Sequence, residues 1–334
     1  MQRVSYNECS SLLTQLKKEH SWLCDVSSVP LQQSLRHLDR AFVNFFEKRA
    51  RYPSFKSRWD KQSASYTKVA FTFREGEIWL AKQKEPLDVR WSRKFKGDPS
   101  SLTVTRDRSG RYFISIIVKE DMAPLPFVAS EVGLDLGLTN AVTDDQGRVV
   151  SNPKFLDKEY KKLRRKQRSL SKKVRGSKNR DRARKDLARL HAQIRDKRHD
   201  FLHKLSWQVV NENQVIAVED LGIIGMQKNR RLSRGIGDAS WGTLVRFLEY
   251  KCDWYGKEFV KVGRFFPSSK RCSNCGNIFE ELELGDRKWE CSVCTVLHDR
   301  DQNAAKNILL EGKGLLGKLK VPWGSRDLKP VEFV

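Results

Sequence analysis

The chain has 334 residues and 39% hydrophobic content, enough for two or three domains with real cores, which excludes a disordered tail. Its 65 Lys and Arg against 41 Asp and Glu give a formal net charge of +24, which points to a polyanionic partner. No apolar run reaches membrane-spanning length and the start, MQRVSYNECSSLL, lacks a secretory core, so nucleic acid outranks a membrane and a cytoplasmic, nucleoid-associated location is expected.

Residues 1–62 read as helical, with Leu35, Leu38, Phe42 and Phe45 or Phe46 at helical spacing before a Tyr-Pro stop and a basic tail. From 63 to 127 the hydrophobic period changes to two. YTKVAFTFREGEIWLA reads as a hairpin turning at Glu75 and Gly76, and SLTVTRDRSGRYFISIIVKE as a second around Ser109 and Gly110, together a small β-barrel or curled sheet. DMAPLPF reads as a linker into the next strand.

EVGLDLGLTNAV then presents that apolar strand with a single acid. Alternation sends Val132, Leu134, Leu136 and Leu138 to one face and Gly133, Asp135 and Gly137 to the other, a bare shelf holding Asp135. Either Asp135 ends the strand toward solvent, or the glycines clear space for a metal ion or phosphate.

Residues 157–204 hold 20 Lys or Arg and 6 Asp or Glu. Leu187, Leu190, Ile194, Phe201 and Leu205 mark a helical stripe and RGSKN interrupts it as a turn, so a basic helical hairpin over 155–205 is expected, a track for a phosphate backbone. NQVIAVEDLGIIGM is a second short apolar strand ending in acid. Its alternation puts Glu219 and Asp220 on opposite faces, with Glu219 the candidate for a shared site and Asp220 a turn cap.

CSNCG and CSVC place Cys272, Cys275, Cys291 and Cys294 as two C-x2-C pairs fifteen residues apart, a zinc-ribbon spacing. Four thiolates close the coordination of one Zn2+, so this metal is structural. Cys9, Cys24 and Cys252 are scattered. The next segment, HDRDQNAAKNILL, begins a helix in which Asp301 is either the N-cap or a third acid. Asp299 competes with it, and Ala304 and Ala305 favour close packing of the Asp301 face on a sheet. Two acids at strand ends and one at a helix start are hard oxygen donors suited to two Mg2+ ions roughly 3.5 to 4 Å apart, with Mn2+ a possible substitute.

In this order, GLDLGLTNAV, AVEDLGIIGM, CSNCG, CSVC and HDRDQNAAKNIL resemble the TnpB family of transposon-encoded proteins, relatives of the miniature type V CRISPR effectors. LQQSLRHLDRAFVNFFEKRARYPSFKSR, RHDFLHKLSWQVV and FFPSSKRCSNCG are similar too, and the likeness runs from near residue 4 to about 312. It implies a multidomain α/β protein with an RNase H-like (RuvC-like) nuclease domain, and Asp135, Glu219 and Asp301 as its catalytic, Mg2+-binding acids. It further implies a helical recognition lobe over 1–62, a β wedge domain over 63–127, a nuclease domain over 128–312 with a zinc ribbon inserted at 265–297, and a tail over 313–334. Its partners would be a guide RNA and double-stranded DNA bearing a short adjacent motif, with base pairing reading the sequence.

Two departures from the family stand out. The chain starts almost at VSYNE, which implies an N-terminally shortened lobe and an incomplete barrel. Thr295 stands where the family commonly has glycine after the second C-x2-C, which implies a strained knuckle that still keeps all four ligands. RNA-guided or nonspecific DNA binding without cleavage, as in a truncated remnant, is the alternative to a nuclease.

Overall fold

The computed structural model describes residues 5–283 and 285–318. Among these residues two compact units emerge, one formed by the chain up to 121 with 166–192 and the other by 122–165 with the chain from 193 onward.

In the first unit α1 (Tyr6–Glu19) starts on a reciprocal cap: Ser5 Oγ accepts from Glu8 N–H while the Glu8 carboxylate accepts from Ser5 N–H. α2 (Ser28–Phe46) carries the expected apolar stripe, yet none of its residues is fully buried. Helix stops there, where Lys48 takes a positive φ of 59°, so the stretch from 47 to 61 is not regular helix as the sequence suggested. The strands β1 (Gln62–Thr67), β2 (Phe71–Arg74), β3 (Glu77–Leu80), β4 (Pro99–Arg106) and β5 (Tyr112–Val118) come next.

The two hairpins turn where expected, with Gly76 and Gly110 at φ of 83° and 89°. They do not close a barrel among the described residues. A 3-10 turn at Lys68–Ala70 swings the chain out of the sheet after β1, so β2 pairs with β3 alone and the other strands form an open sheet ordered β1-β4-β5. Ile78, Leu80, Phe71 and Leu102 are the core that the sheet and the hairpin share.

The second unit is built on a five-stranded sheet. β6 (Glu131–Asp135), β7 (Asn140–Asp144) and β8 (Val149–Ser151) form an antiparallel meander; β9 (Val215–Glu219) lies parallel to β6, and β10 (Glu258–Val262) parallel to β9. Across the sheet the order is β8-β7-β6-β9-β10. Between β8 and β9 run α3 (Phe155–Ser171) and α4 (Lys178–Glu212), broken at Gly176 with φ of 84° as the RGSKN segment suggested. The sequence boundaries give this whole hairpin to one domain, whereas by packing its tip, 166–192, belongs with the first unit.

α5 (Ile223–Met226), α6 (Ser233–Ala239) and α7 (Trp241–Tyr255) connect β9 to β10. β11 (Lys288–Glu290) and β12 (Leu297–Asp299) pair beyond β10, and α8 (Arg300–Lys318) closes the unit. The helix therefore continues into the segment expected to be a tail; the rest of that tail, 319–334, lies outside the described residues, as do residues 1–4.

β6 and β9 read as nearly continuous apolar runs because both faces of the sheet are covered. On one face Val132, Leu134, Leu136, Ile216 and Val218 pack with Leu202 and Leu205 of α4 and Leu244, Phe247 and Leu248 of α7. On the other, Ala217, Val260 and Val262 meet Ile308 of α8. The shelf beside Asp135 is accordingly not bare. A Cβ on Gly133 would stand 2.1 Å from the Ala305 carbonyl oxygen, and one on Gly312 would stand 2.7 Å from Ala217 Cβ. These glycines bring α8 against the sheet. At Gly133 the cleared space holds a helix backbone and not an ion.

Candidate active site

Leu134 and Val218 are paired across the parallel β6 and β9, so the next residues, Asp135 and Glu219, are neighbours at the same end of the sheet. Both fall on the face covered by α8, two residues beyond Gly133 and Ala217. Asp220 turns the other way into an ion pair with Arg264 at 2.9 Å.

The third acid arrives from α8. The helix is capped by Asp299, whose Oδ1 accepts from Gln302 N–H at 3.1 Å, so the two readings of Asp301 resolve: it is not the cap but lies inside the first turn. There the partial positive charge of the helix start favours a carboxylate. Asp301 also accepts from Arg287 Nη1 at 3.3 Å.

The electrostatics register the convergence. Burial, followed by the charges of Asp301 and Glu219, pushes Asp135 up to about 7, against an opposing pull from Arg300 and Arg287. Burial lifts Glu219 above the ordinary glutamate value; the Ser268 hydroxyl, donating to Glu219 Oε2 at 3.4 Å, opposes this, and the Asp220 charge adds to it.

Ser268, Arg287 and Arg300 were not singled out from the sequence. Ser268 lies inside FFPSSKRCSNCG, but the pattern of that segment gives no hint that its hydroxyl faces a strand some fifty residues earlier. Asp135, Glu219 and Asp301 fit divalent cations by donor chemistry: all are hard oxygen ligands, and burial together with the other two charges raises the first of them toward neutral pH.

A second cluster lies just before α8. Among the described residues, the ligand atoms of Cys272, Cys275, Cys291 and Cys294 all lie within 4.8 Å of one another. The Cys272–Cys294 and Cys275–Cys291 sulfur separations are both 3.6 Å, close to the edge of a tetrahedron with Zn–S bonds of about 2.3 Å.

Backbone N–H groups point at these sulfurs. The N–H of Val296, and then the Asn274 side chain, draw Cys294 down to about 6, a thiolate ready for a cation. Gly276 and Thr295 take equivalent positive φ values of 80° and 57° after their knuckles, so Thr295 adopts the backbone that glycine would adopt freely. Phe279, stacked on Trp289, makes a small core beneath, and His298 Nε2 sits 3.0 Å from Cys272 Sγ.

Comparison with known proteins defines the class. Residues 115–230 match a family described as a probable transposase (OrfB_IS605), and residues 241–308 match the Cas12f1-like TNB domain. A protein of Streptomyces pristinaespiralis named "Putative RNA-guided DNA endonuclease" is 49% identical over 315 residues, 93% of this chain and 78% of that one. A relative of the same description from Escherichia coli strain K12 is 34% identical, covering 99% of this chain and 87% of its own length. The solved Cas12f1-sgRNA-target DNA complex aligns with a TM-score of 0.51 at 15% identity, over 84% of this chain and 70% of that chain, a likeness of fold.

The molecule is thus a mixed α/β protein of the transposase class carrying a four-cysteine cluster. It belongs to the TnpB family. Among the described residues no helix is long and apolar enough to cross a membrane.

Proposed function

We propose that this protein is an RNA-guided DNA endonuclease whose second unit hydrolyses phosphodiester bonds at Asp135, Glu219 and Asp301. The observation that carries the reading is the placement of these acids toward one end of β6, β9 and α8, where burial and then the charges of Asp301 and Glu219 push Asp135 up to about 7. The strand order β8-β7-β6-β9-β10, an antiparallel meander extended by two parallel strands, supports an RNase H-type (RuvC-like) nuclease. The names of the relatives from Streptomyces pristinaespiralis and Escherichia coli support guide RNA and DNA as partners. The first unit is assigned the recognition and wedge roles, and contact with a short motif beside the target.

Asp135, Glu219 and Asp301 would hold two Mg2+ ions, whose chemistry would be to activate water and to offset negative charge on the leaving 3′ oxygen. Asp135 would serve as a ligand in its ionised form, which burial and then the charges of Asp301 and Glu219 disfavour until a cation offsets them. Glu219 is oriented by Ser268, and Asp301 by Arg287 and the capped start of α8. The four-cysteine cluster, closed by its thiolates, holds one structural Zn2+.

The test is to express the protein with its flanking DNA, sequence the RNA that co-purifies, and challenge the complex with a matching DNA target in Mg2+. A discrete RNA and cleavage of matched DNA alone are expected. Asp135→Ala abolishes cutting while RNA and DNA binding persist; cleavage that survives the substitution overturns the assignment.

A further inference from the structure

We propose that Asn303 and Asn307 are positioning residues that tie the zinc knuckle to the acid cluster, so that the knuckle's shape sets the divalent-cation affinity of the acids. The proposal rests on the reading of Asp135, Glu219 and Asp301 as cation ligands.

Both asparagines lie on α8, one and two turns after the start that carries Asp301, and their exposures are 2% and 1%. Their side chains do not serve the helix. Asn303 Nδ2 donates to the Arg271 carbonyl at 2.7 Å, and Asn303 Oδ1 accepts from Ser273 N–H at 2.9 Å, so one side chain clasps the backbone on both sides of the zinc-ligating Cys272. Asn307 Nδ2 donates to the same Arg271 carbonyl at 2.6 Å and to the Ser268 carbonyl at 2.9 Å. Ser268 is the residue whose hydroxyl meets Glu219.

A chain of contacts therefore runs from a zinc ligand through two asparagines to the hydroxyl that orients one acid. A second, parallel connection joins the knuckle to another acid. β12 leads directly into α8, His298 contacts Cys272 Sγ, and Arg287, on the ribbon, bonds Asp301.

The energetic case is the orphaned atom. Asn307 Oδ1 is buried with no hydrogen-bond partner among the described residues. A buried acceptor without a donor is destabilising, and an apolar side chain at this site would avoid it. What an apolar side chain cannot do is hold the two carbonyls of the 268–271 segment. The amide fits a role in placing that segment better than a role in packing. Groups bonded directly to a metal ligand, as Ser268 is to Glu219, typically contribute 10- to 100-fold to metal affinity, and the asparagines act by placing that group.

The experiment uses the full chain with its co-purified RNA, comparing wild type with Asn307→Leu and with Asn303→Asp. Asn303→Asp keeps the size and the acceptor for Ser273 and replaces the donor with an acidic oxygen that, ionised, is repelled by the Arg271 carbonyl; it covers the case in which Asn307→Leu fails to fold. Zinc content and melting temperature are measured first. Mn2+ binding to the acids is then titrated by electron paramagnetic resonance, and the Mg2+ concentration for half-maximal cleavage is determined.

Zinc retained at full stoichiometry with Mn2+ affinity lowered roughly tenfold or more, and the Mg2+ requirement raised in parallel, is the expected result. Unchanged Mn2+ affinity in a folded, zinc-loaded variant overturns the proposal. Because Mn2+ binding is read without DNA, wild-type protein that binds Mn2+ at Asp135 but cuts nothing would sink the nuclease reading and leave this one standing. Mn2+ binding indifferent to Asp135→Ala would sink both.

Discussion

The cysteine and carboxylate clusters sit on either side of the start of α8, yet they are assembled on opposite plans. Each pair of cysteines comes from one tight knuckle, with nearby N–H groups already aimed at sulfur, as Val296 is at Cys294. The acids come from β6, β9 and α8, separated by most of the second unit's length, and nothing local holds them together. Burial, and after it their mutual repulsion, pushes Asp135 up to about 7. A site made locally can be organised by its own ion; one made at long range must be held by the fold and bears the electrostatic cost while empty of cation.

The largest test of that contrast is at the thiolates. Cys272→Ser is expected to remove the zinc and most of the binding free energy, which for structural zinc is on the order of 10 kcal/mol. Hydrogen exchange should then lose protection across the ribbon while β6 and β9 remain protected; a ribbon that stays protected without zinc would show that it does not depend on its ion.

At the acids the sign is reversed. An unfolded aspartate releases its proton near a pH of about 3.9, whereas folded Asp135 keeps it up to about 7. Between those values the folded state binds more protons, so without divalent cation stability falls as pH rises through this window and stays low above it. Asp135→Asn should stabilise the metal-free protein at pH 8 by roughly 2 to 4 kcal/mol, and the gain should vanish below pH 4. Chemical denaturation in buffer free of divalent cations measures it, and a variant no more stable than wild type at pH 8 would mean that burial and the neighbouring acids do not hold the Asp135 proton.

Gly133→Ala probes the scaffold that brings the acids together. With the Ala305 oxygen 2.1 Å from the new Cβ, α8 must shift, and a loss of about 1 to 3 kcal/mol is expected together with reduced cleavage. A neutral result would show that the helix yields freely. The smallest effect is at the knuckle: Thr295→Gly relieves a positive φ of 57° and should stabilise the zinc-bound ribbon by about 1 kcal/mol, seen as slower zinc release to a chelator.

The same contrast explains what could be read from residues alone. The cysteine spacing needed no fold, because its partners are local. Alternation placed Asp135 and Glu219 on definite faces, but it could not reveal that α8 occupies the face beside Gly133, nor that Asp299 rather than Asp301 caps that helix. The barrel expected from the two-residue period failed for a similar reason. Periodicity reports which residues turn inward, and the 3-10 turn that diverts β2 from β1 depends on three residues with no strong signature.

The cap has one more consequence. A helix advances about 100° and 1.5 Å with each residue, so a slip of a single position in where α8 begins would carry Asp301 out of reach of its partners. Asp299 fixes that origin, while the close seats at Gly133 and Gly312 prevent the rod from turning or sliding once begun. The aspartate two places earlier thus sets the angular phase of the carboxylate, and two acids in one short segment divide the work of timing the helix and facing the sheet.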